Sequence, residues 1–259
     1  LRDPKRLANF AEAYRSLRDI HNYGARFISP MAWNGSRGTF AGQDGFVSYT
    51  ALRDSPLEDA IKIVITRGRL MQSMEPGSML AISGKEEAIR EMIEEHDCEI
   101  AAINSSEDFV ASGYEDDIQK LQHALEKKRI SVIKISGSVA GHSKLMTKAA
   151  EEFKNVFKDV VISSPAKKFV SNFTGEIVKE EVTKVEYWCN QLRNPVQFAK
   201  GIKSLCREYN SKVSFIELGP GKGLSYFVNK CRDANNYKSL QTLQLLPSAR
   251  EAKEIERIG

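Results

Sequence analysis

The sequence lacks long apolar runs, and this absence excludes a membrane-spanning helix, which needs about 20 consecutive apolar residues. The basic N-terminal residues are not followed by an apolar stretch, so no secretory signal is predicted and we expect a cytoplasmic protein. Low-complexity segments are also absent. The 259 residues are 28% charged and 41% hydrophobic, which is the composition of a globular chain.

Cysteine is scarce, and its spacing excludes a zinc knuckle and a CxxC redox pair. The four cysteines stand far apart, at positions 98, 189, 206 and 231, and are expected to be buried thiols in a reducing compartment. We therefore predict no metal site. The net charge is only +4, which gives no argument for a nucleic-acid partner.

Charge is unevenly distributed along the chain, although its net value is small. Acidic residues outnumber basic ones in residues 85–127, whereas basic residues outnumber acidic ones in residues 144–230. Two regions of opposite charge suggest two structural units.

The acidic region has the element order β-α-β-β-α-β within about sixty residues. Short apolar runs predict the strands, and apolar residues at helical spacing predict the helices. The predicted strands are 78–83, 98–103, 108–112 and a final buried strand at 130–135, and the predicted helices are 85–96 and 114–127. This order is that of a ferredoxin-like subdomain.

The flanking regions alternate helices and strands, which predicts a parallel α/β domain. The predicted helices are 57–72, 144–157, 182–192 and 196–209, and the predicted strands are 169–172, 213–218 and 240–246. We therefore divide the chain into a large, discontinuous α/β subdomain, 1–76 and 138–259, and a ferredoxin-like subdomain, 77–137.

A glycine-rich segment, Gly219 to Ser225, follows a predicted strand and precedes a helix. Its spacing fits neither the phosphate-binding P-loop nor the G-x-G-x-x-G dinucleotide motif. A tight strand-to-helix turn is the favoured interpretation, and nucleotide binding is the weaker alternative.

His142 lies in a loop of small residues between a predicted buried strand and a helix. That position predicts an imidazole at the carboxyl end of a parallel sheet, where α/β domains bind ligands. A lone histidine is often structural. To act as a general base, it needs a nucleophile and an orienting partner.

Six ordered motifs resemble one family. They are Arg67–Met71, Ala101–Ser105 with Ala111–Gly113, Gly141–Met146, Ser171–Gly175, Tyr187-Trp188 followed by Asn194–Val196, and Phe215–Gly221. Together they resemble the malonyl-CoA:acyl carrier protein transacylases, the acyltransferases of fatty-acid and polyketide synthesis, over about Tyr49 to Leu246. The resemblance implies an α/β-hydrolase-like parallel-sheet domain with an inserted ferredoxin-like subdomain.

The resemblance also implies roles for individual residues. His142 matches the histidine that activates a serine and protonates the departing thiol, and Arg67 matches the arginine that pairs with the malonyl carboxylate. A backbone carbonyl near Val213 would orient the histidine. Asn104 resembles a residue that lines the cleft, although a turn-forming asparagine explains it equally well.

The sequence departs from this family at the nucleophile. The family motif Gly-His-Ser-x-Gly is not found, and the best local alignment places Gln43 and Asp44 where His and Ser belong. Alternatively, Gln43 resembles the family glutamine that supports the oxyanion hole. Ser36 is a weak candidate for the nucleophile, and the alternative interpretation is an ordinary turn residue.

The resemblance implies transfer of a malonyl-type group from a coenzyme A thioester to the phosphopantetheine arm of an acyl carrier protein. Other synthase domains are further candidate partners. Lysines near His142 would steer an acidic carrier protein: Lys144 and Lys148, with Lys167, Lys168 and Lys222. Two rivals remain: a degenerate acyltransferase fold kept as a docking module, and an acyl hydrolase on the same fold.

Overall fold

A computed structural model describes residues 57–165, 167–220 and 222–246. The predictions for Ser36, Gln43 and the nucleophile region lie outside the described residues. The helices are α1 Leu57–Gln72, α2 Glu86–Glu95, α3 Glu115–Lys127, α4 Thr147–Phe153, α5 Val185–Arg193, α6 Phe198–Glu208 and α7 Gly223–Asn235. The strands are β1 Gly77–Ser83, β2 Glu99–Ile103, β3 Asp108–Tyr114, β4 Ser131–Ile135, β5 Ser214–Pro220 and β6 Gln241–Leu246.

Strands β1 to β4 form one antiparallel sheet in the order β2-β3-β1-β4. The central pair, β1 and β3, is in register from Gly77 opposite Tyr114 to Ser83 opposite Asp108. Helix α2 connects β1 to β2, and α3 connects β3 to β4. This strand order with these crossovers is the ferredoxin-like arrangement expected from the sequence.

Both helices of this unit pack on one face of the sheet. Their apolar residues recur at the spacing of one helix face, and the sheet contributes the alternate residues of β1 and β3. The cluster contains Leu80, Ile82, Ile89, Met92, Ile93, Phe109, Ile118, Leu121 and Leu125, all buried. This burial is what makes an otherwise acidic segment fold.

Strand β4 corrects one expectation. The sequence predicted a buried strand, but β4 pairs only with β1 and lies at the sheet edge. Ile133 is 70% exposed as a result. An apolar run alone does not distinguish a central strand from an edge strand.

The second sheet contains β5 and β6, which are parallel and joined by α7. This parallel βαβ unit agrees with the predicted α/β flank. Two flanking elements differ from expectation. The helix predicted over 144–157 is α4 between two short 3₁₀ segments, Lys144–Met146 and Lys154–Phe157, and the strand predicted at 169–172 is a single bridge between Val170 and Ile177.

Two further apolar clusters occur in the described ranges. One joins the second face of the antiparallel sheet to α6 and α7 and includes Met79, Val110, Ile202 and Val228. The other joins α1, α4 and α5 around Phe153, Trp188 and Leu192. The four strands are separate from β5 and β6, and one parallel bridge, Ala102 to Val196, links them to the segment after α5. The division at residues 77 and 137 stays a prediction.

All four cysteines are free and buried, as expected from their spacing. Burial raises the pKa of the Cys98 thiol, and likewise that of the Cys231 thiol, to about 12. A thiol that does not ionise near neutral pH is a poor nucleophile, so these residues are packing groups.

Gly77 packs against the loop that carries His142, and this contact generates a stability prediction. A Cβ at Gly77 would lie 2.5 Å from the Ala140 Cβ and 2.6 Å from the Gly113 carbonyl oxygen. We expect Gly77→Ala to lower the free energy of unfolding by about 1–3 kcal/mol, since the site is overpacked. Urea unfolding followed by circular dichroism measures this change.

Gly68 is the matched control, because a Cβ there would meet no described atom within 4 Å in the interior of α1. We expect Gly68→Ala to raise the free energy of unfolding by up to about 1 kcal/mol, through helix propensity. Equal effects of the two substitutions would contradict the tight contact at Gly77.

Candidate active site

His142 lies in the loop 136–143, which leads from β4 into the 3₁₀ segment before α4. The preceding strand is therefore an antiparallel edge strand, and the prediction that His142 follows a parallel strand is wrong. The ring is 1% exposed. Its backbone has φ +58°, a left-handed conformation that costs a non-glycine residue about 1–2 kcal/mol and persists only where the surroundings hold it.

Ser143 ties this loop together locally. Its hydroxyl donates to the Ala140 carbonyl at 2.7 Å and accepts the Leu145 N–H at 3.3 Å. The Ser143 carbonyl then accepts the Met146 N–H at 2.9 Å, which begins the helical segment. Ser143 and Ala140 are fully buried. The loop is therefore part of the packed interior.

The His142 ring is held by a backbone carbonyl at the end of α5. Its Nδ1 lies 2.8 Å from the Asn194 oxygen. A carbonyl oxygen only accepts hydrogen bonds, so Nδ1 must carry the proton that it donates. In the neutral ring Nε2 then has the lone pair of a general base. The orienting partner that the sequence required is thus Asn194.

Asn194 can serve in this way because of its position. The last carbonyls of a helix have no intrahelical partner, and Pro195 forces Asn194 into an extended conformation with φ −99° and ψ 161°. Its carbonyl is turned out of the helix ladder. The Asn-Pro pair that ends α5 is the sequence signal that could have identified it.

The prediction for Val213 is wrong. Its carbonyl accepts the Gln241 N–H at 3.1 Å, at the start of the β5–β6 pair. A main-chain oxygen has no side-chain signature, so the family resemblance could indicate a carbonyl but not which one.

Arg67 lies on α1 and is half-buried. Its Nη2 donates to the Gln191 Oε1 at 3.3 Å across 124 residues of sequence. Gln191 is itself buried on α5, so its amide fixes one edge of the guanidinium plane.

Helix α5 brings the Arg67 and His142 regions together. Gln191 lies in the last turn of α5, and Asn194 directly follows the helix. A second contact agrees with this: Gly141 lies beside Met71, whose Cε would be 3.6 Å from a Cβ at position 141. Met71 is one turn after Arg67 on α1. Arg67 and His142, seventy-five positions apart in the sequence, are thus each hydrogen-bonded to a residue at or directly after the end of α5.

Glu99 on β2 contacts both sides of this arrangement. One carboxylate oxygen pairs with Arg193 Nη2 at 2.9 Å, and the other accepts the Lys144 N–H. Arg193 directly precedes Asn194, and Lys144 is two residues after His142. Sequence reasoning missed Glu99, because it is one of many acidic residues in that region.

Asn104 follows β2 and is 3% exposed. Its N–H donates to the Asp108 carbonyl at 2.8 Å, as expected of a turn residue. Its side-chain Oδ1 is buried and has no hydrogen-bond partner among the described residues. The preceding residue, Ile103, donates its N–H to Val196, two residues after Asn194. Both interpretations of Asn104 therefore remain compatible with its surroundings.

The turn before α7 already holds an anionic group. Glu217 is buried on β5, and its carboxylate accepts the Leu224 N–H at 3.1 Å and the Ser225 N–H at 2.9 Å. These are the amides that would otherwise attract a phosphate. The strand-to-helix interpretation is therefore favoured over nucleotide binding.

No group of three or more His, Cys, Asp or Glu side chains in the described ranges could hold a metal ion. No helix in those ranges is long and apolar enough to cross a membrane.

The chain is similar to segments of modular synthases. It is 29% identical to the polyketide synthase GfsA of Streptomyces halstedii over 76% of this chain. It is 35% identical to a phenolphthiocerol synthesis polyketide synthase type I of Mycobacterium bovis over 63% of this chain. These matches span only 3% and 8% of the two synthases.

Solved acyltransferases share the fold. The malonyl CoA-acyl carrier protein transacylase of Clostridium perfringens is 25% identical with a TM-score of 0.71, over 100% of this chain and 82% of that one. The acyltransferase domain from the second module of the salinomycin polyketide synthase is 28% identical with a TM-score of 0.68, over 80% and 48%. The predicted α/β acyltransferase-type fold class is thereby confirmed.

The family model described as "Acyl transferase domain" matches residues 48–253. This range covers most of the chain, including the His142 loop, α1 and α5. The protein therefore belongs to the acyl transferase domain family.

Proposed function

We propose that the protein moves a malonyl-type acyl group from coenzyme A to an acyl carrier protein in fatty-acid or polyketide synthesis. One observation carries the proposal: α5 anchors the base and the cation together. Asn194 holds the His142 Nδ1, and Gln191, one turn earlier, holds Arg67. A proton acceptor beside a carboxylate-binding guanidinium suits a thioester whose acyl group ends in a free carboxylate.

The first half-reaction forms an acyl-enzyme ester. His142 Nε2 takes the proton of a serine hydroxyl while the serine oxygen attacks the thioester carbonyl carbon. The tetrahedral intermediate collapses, the C–S bond breaks, and His142 returns the proton to the coenzyme A sulfur. Ser36 remains the sequence candidate for this serine, outside the described residues.

The second half-reaction reverses these steps with a new thiol. The phosphopantetheine thiol of the carrier protein gives its proton to His142 Nε2, and its sulfur attacks the ester carbonyl carbon. The C–O bond to serine breaks, and His142 protonates the serine oxygen. The protein's own residues supply every proton transfer, so the scheme needs no bound cofactor, and the coenzyme A thioester is a substrate.

Several finer assignments stay proposals. Asn104 lines the cleft and Gln43 supports the oxyanion hole, by the resemblance given above. Gly141 stands where the family often has an aromatic residue or serine, so the choice of acyl group stays open. The cytoplasmic location and contacts with other synthase domains are likewise predictions.

Intact-mass spectrometry after incubation with malonyl-CoA tests the proposed function. We expect a mass increase of one malonyl group on the protein, lost on addition of acyl carrier protein, and absent in His142→Ala. Peptide mapping of the adduct would identify the nucleophile. Release of free malonate without transfer would favour the hydrolase, and no adduct with wild-type protein would favour the docking module.

Arg67→Ala should discriminate between substrates. Only malonyl-CoA presents a carboxylate to Arg67, whereas acetyl-CoA does not. Loss of a charge-assisted pair from a half-buried site costs about 2–3 kcal/mol, so kcat/KM for malonyl-CoA should fall roughly 30- to 150-fold relative to acetyl-CoA. Steady-state kinetics with both thioesters measures the ratio.

Arg69 provides the matched control for this experiment, since it is an exposed arginine on the same helix. We expect Arg69→Ala to leave the malonyl preference as it is. Equal losses for both thioesters in Arg67→Ala would refute the carboxylate-binding role.

The lysines beside the His142 loop should guide the acidic carrier protein. Lys144 and Lys148 are exposed and one turn apart, immediately after His142. Lys168 is already paired with Glu208 at 2.6 Å, so it is the weaker member of the surface. We expect Lys144→Glu with Lys148→Glu to lower the association rate for carrier protein on the order of tenfold, and added salt to mimic this in wild type.

Stopped-flow binding at several salt concentrations, with loading from malonyl-CoA measured separately, checks this prediction. Loading should change little. The control, Lys179→Glu with Lys184→Glu, reverses two exposed lysines near the opposite end of α5. If carrier-protein association and its salt dependence are unchanged in the Lys144/Lys148 variant, these lysines are ordinary solvated surface residues.

A further inference from the structure

Glu99 closes a ring of contacts around His142. The ring runs from His142 along the chain to the Lys144 N–H, then through the Glu99 carboxylate to Arg193. From Arg193 it continues to the Asn194 carbonyl and back to His142 Nδ1. Glu99 lies on the antiparallel sheet, and its side chain connects the His142 loop to α5.

The position of Glu99 is fixed by β2. The Val196 N–H donates to the Ala101 carbonyl at 2.8 Å, and the Ile103 N–H donates to the Val196 carbonyl at 2.9 Å. The chain after α5 therefore runs parallel to β2, with Ala102 level with Val196. Counting back three residues on each strand brings Glu99 level with Arg193, the last residue of α5. The carboxylate thus reaches Arg193 from a rigid strand.

The bonds of Ser143 are local to the loop and do not connect it to α5. His142 nonetheless has a left-handed backbone, which persists only under external restraint. A carboxylate that binds the loop backbone with one oxygen and α5 with the other supplies such a restraint. Its removal would let the loop and the Asn194 carbonyl separate.

We propose that Glu99 is a positioning residue that keeps His142 Nδ1 on the Asn194 carbonyl. The inference rests on the proposed function for its catalytic meaning. Without the Glu99 carboxylate, His142 Nδ1 loses the Asn194 carbonyl as its acceptor. The neutral imidazole then no longer keeps its lone pair on Nε2, the atom that must accept the serine proton. Glu99 touches neither substrate nor the reacting atoms.

The deciding measurement is the tautomer of His142, read from imidazole nitrogen shifts in full-length, ¹⁵N-histidine-labelled protein. His142→Asn identifies its signals. Wild type should show the Nδ1–H tautomer of the neutral ring. Glu99→Gln keeps the shape but loses the charge and one acceptor, and Glu99→Ala removes the group. Both should shift the ring toward the Nε2–H form.

Activity gives the second readout. We expect both variants to lower kcat for malonyl transfer by between about 10- and 100-fold, with KM for malonyl-CoA nearly unchanged, since substrate contacts are untouched. Arg193→Ala should add little to Glu99→Ala, because both break the same ring. The matched control is Glu107→Gln, which breaks the Glu107–Lys230 pair at 3.2 Å, at the other end of the same hairpin.

The outcomes separate the two ideas. Retention of the Nδ1–H tautomer in Glu99→Gln overturns the positioning role, whatever the rate does, and an equal tautomer shift in Glu107→Gln overturns it as well. If Glu99→Ala fails to fold, Glu99→Gln decides. If wild type transfers no malonyl group, the proposed function fails. The tautomer measurement still tests whether Glu99 positions His142.

Discussion

A hydrogen bond from the His142 ring to the Asn194 carbonyl joins the loop after the antiparallel sheet to the end of α5. Asn194 directly follows α5, so the bond connects two regions that are 52 residues apart in the sequence. The bond fixes which nitrogen carries the proton, and therefore which nitrogen can accept one. Since Gln191 on the same helix holds Arg67, the end of α5 sets the geometry of both groups.

The ferredoxin-like unit could be predicted because its signals are local. Helical spacing in α2 and α3, short apolar runs in the strands and turn residues after β2 all lie within windows of a few residues. The exposure of β4 was missed because its apolar run was taken as a sign of burial, and such a run does not distinguish a central strand from an edge strand. The 3₁₀ segments at each end of α4 were also missed, because the apolar periodicity of 144–157 does not distinguish them from α-helix.

The site was predictable to the extent that side-chain chemistry marks it. His142 and Arg67 carry an imidazole and a guanidinium, which few other residues could replace chemically. The family motifs indicated both residues before the structure was known. Asn194 acts through its backbone, and Glu99 is chemically the same as its acidic neighbours, so neither has a distinguishing side chain. The pairing of Val196 with β2 explains why Glu99 lies beside Arg193, the residue before Asn194.

The connectivity of these contacts has a kinetic consequence. The antiparallel sheet is built from one continuous stretch of chain, whereas the site closes loops of 52, 94 and 124 residues: His142 to Asn194, Glu99 to Arg193, and Arg67 to Gln191. Closing long loops costs entropy before the contacts compensate for it. The sheet can therefore form early in refolding, and the His142–Asn194 bond appears only when α5 docks.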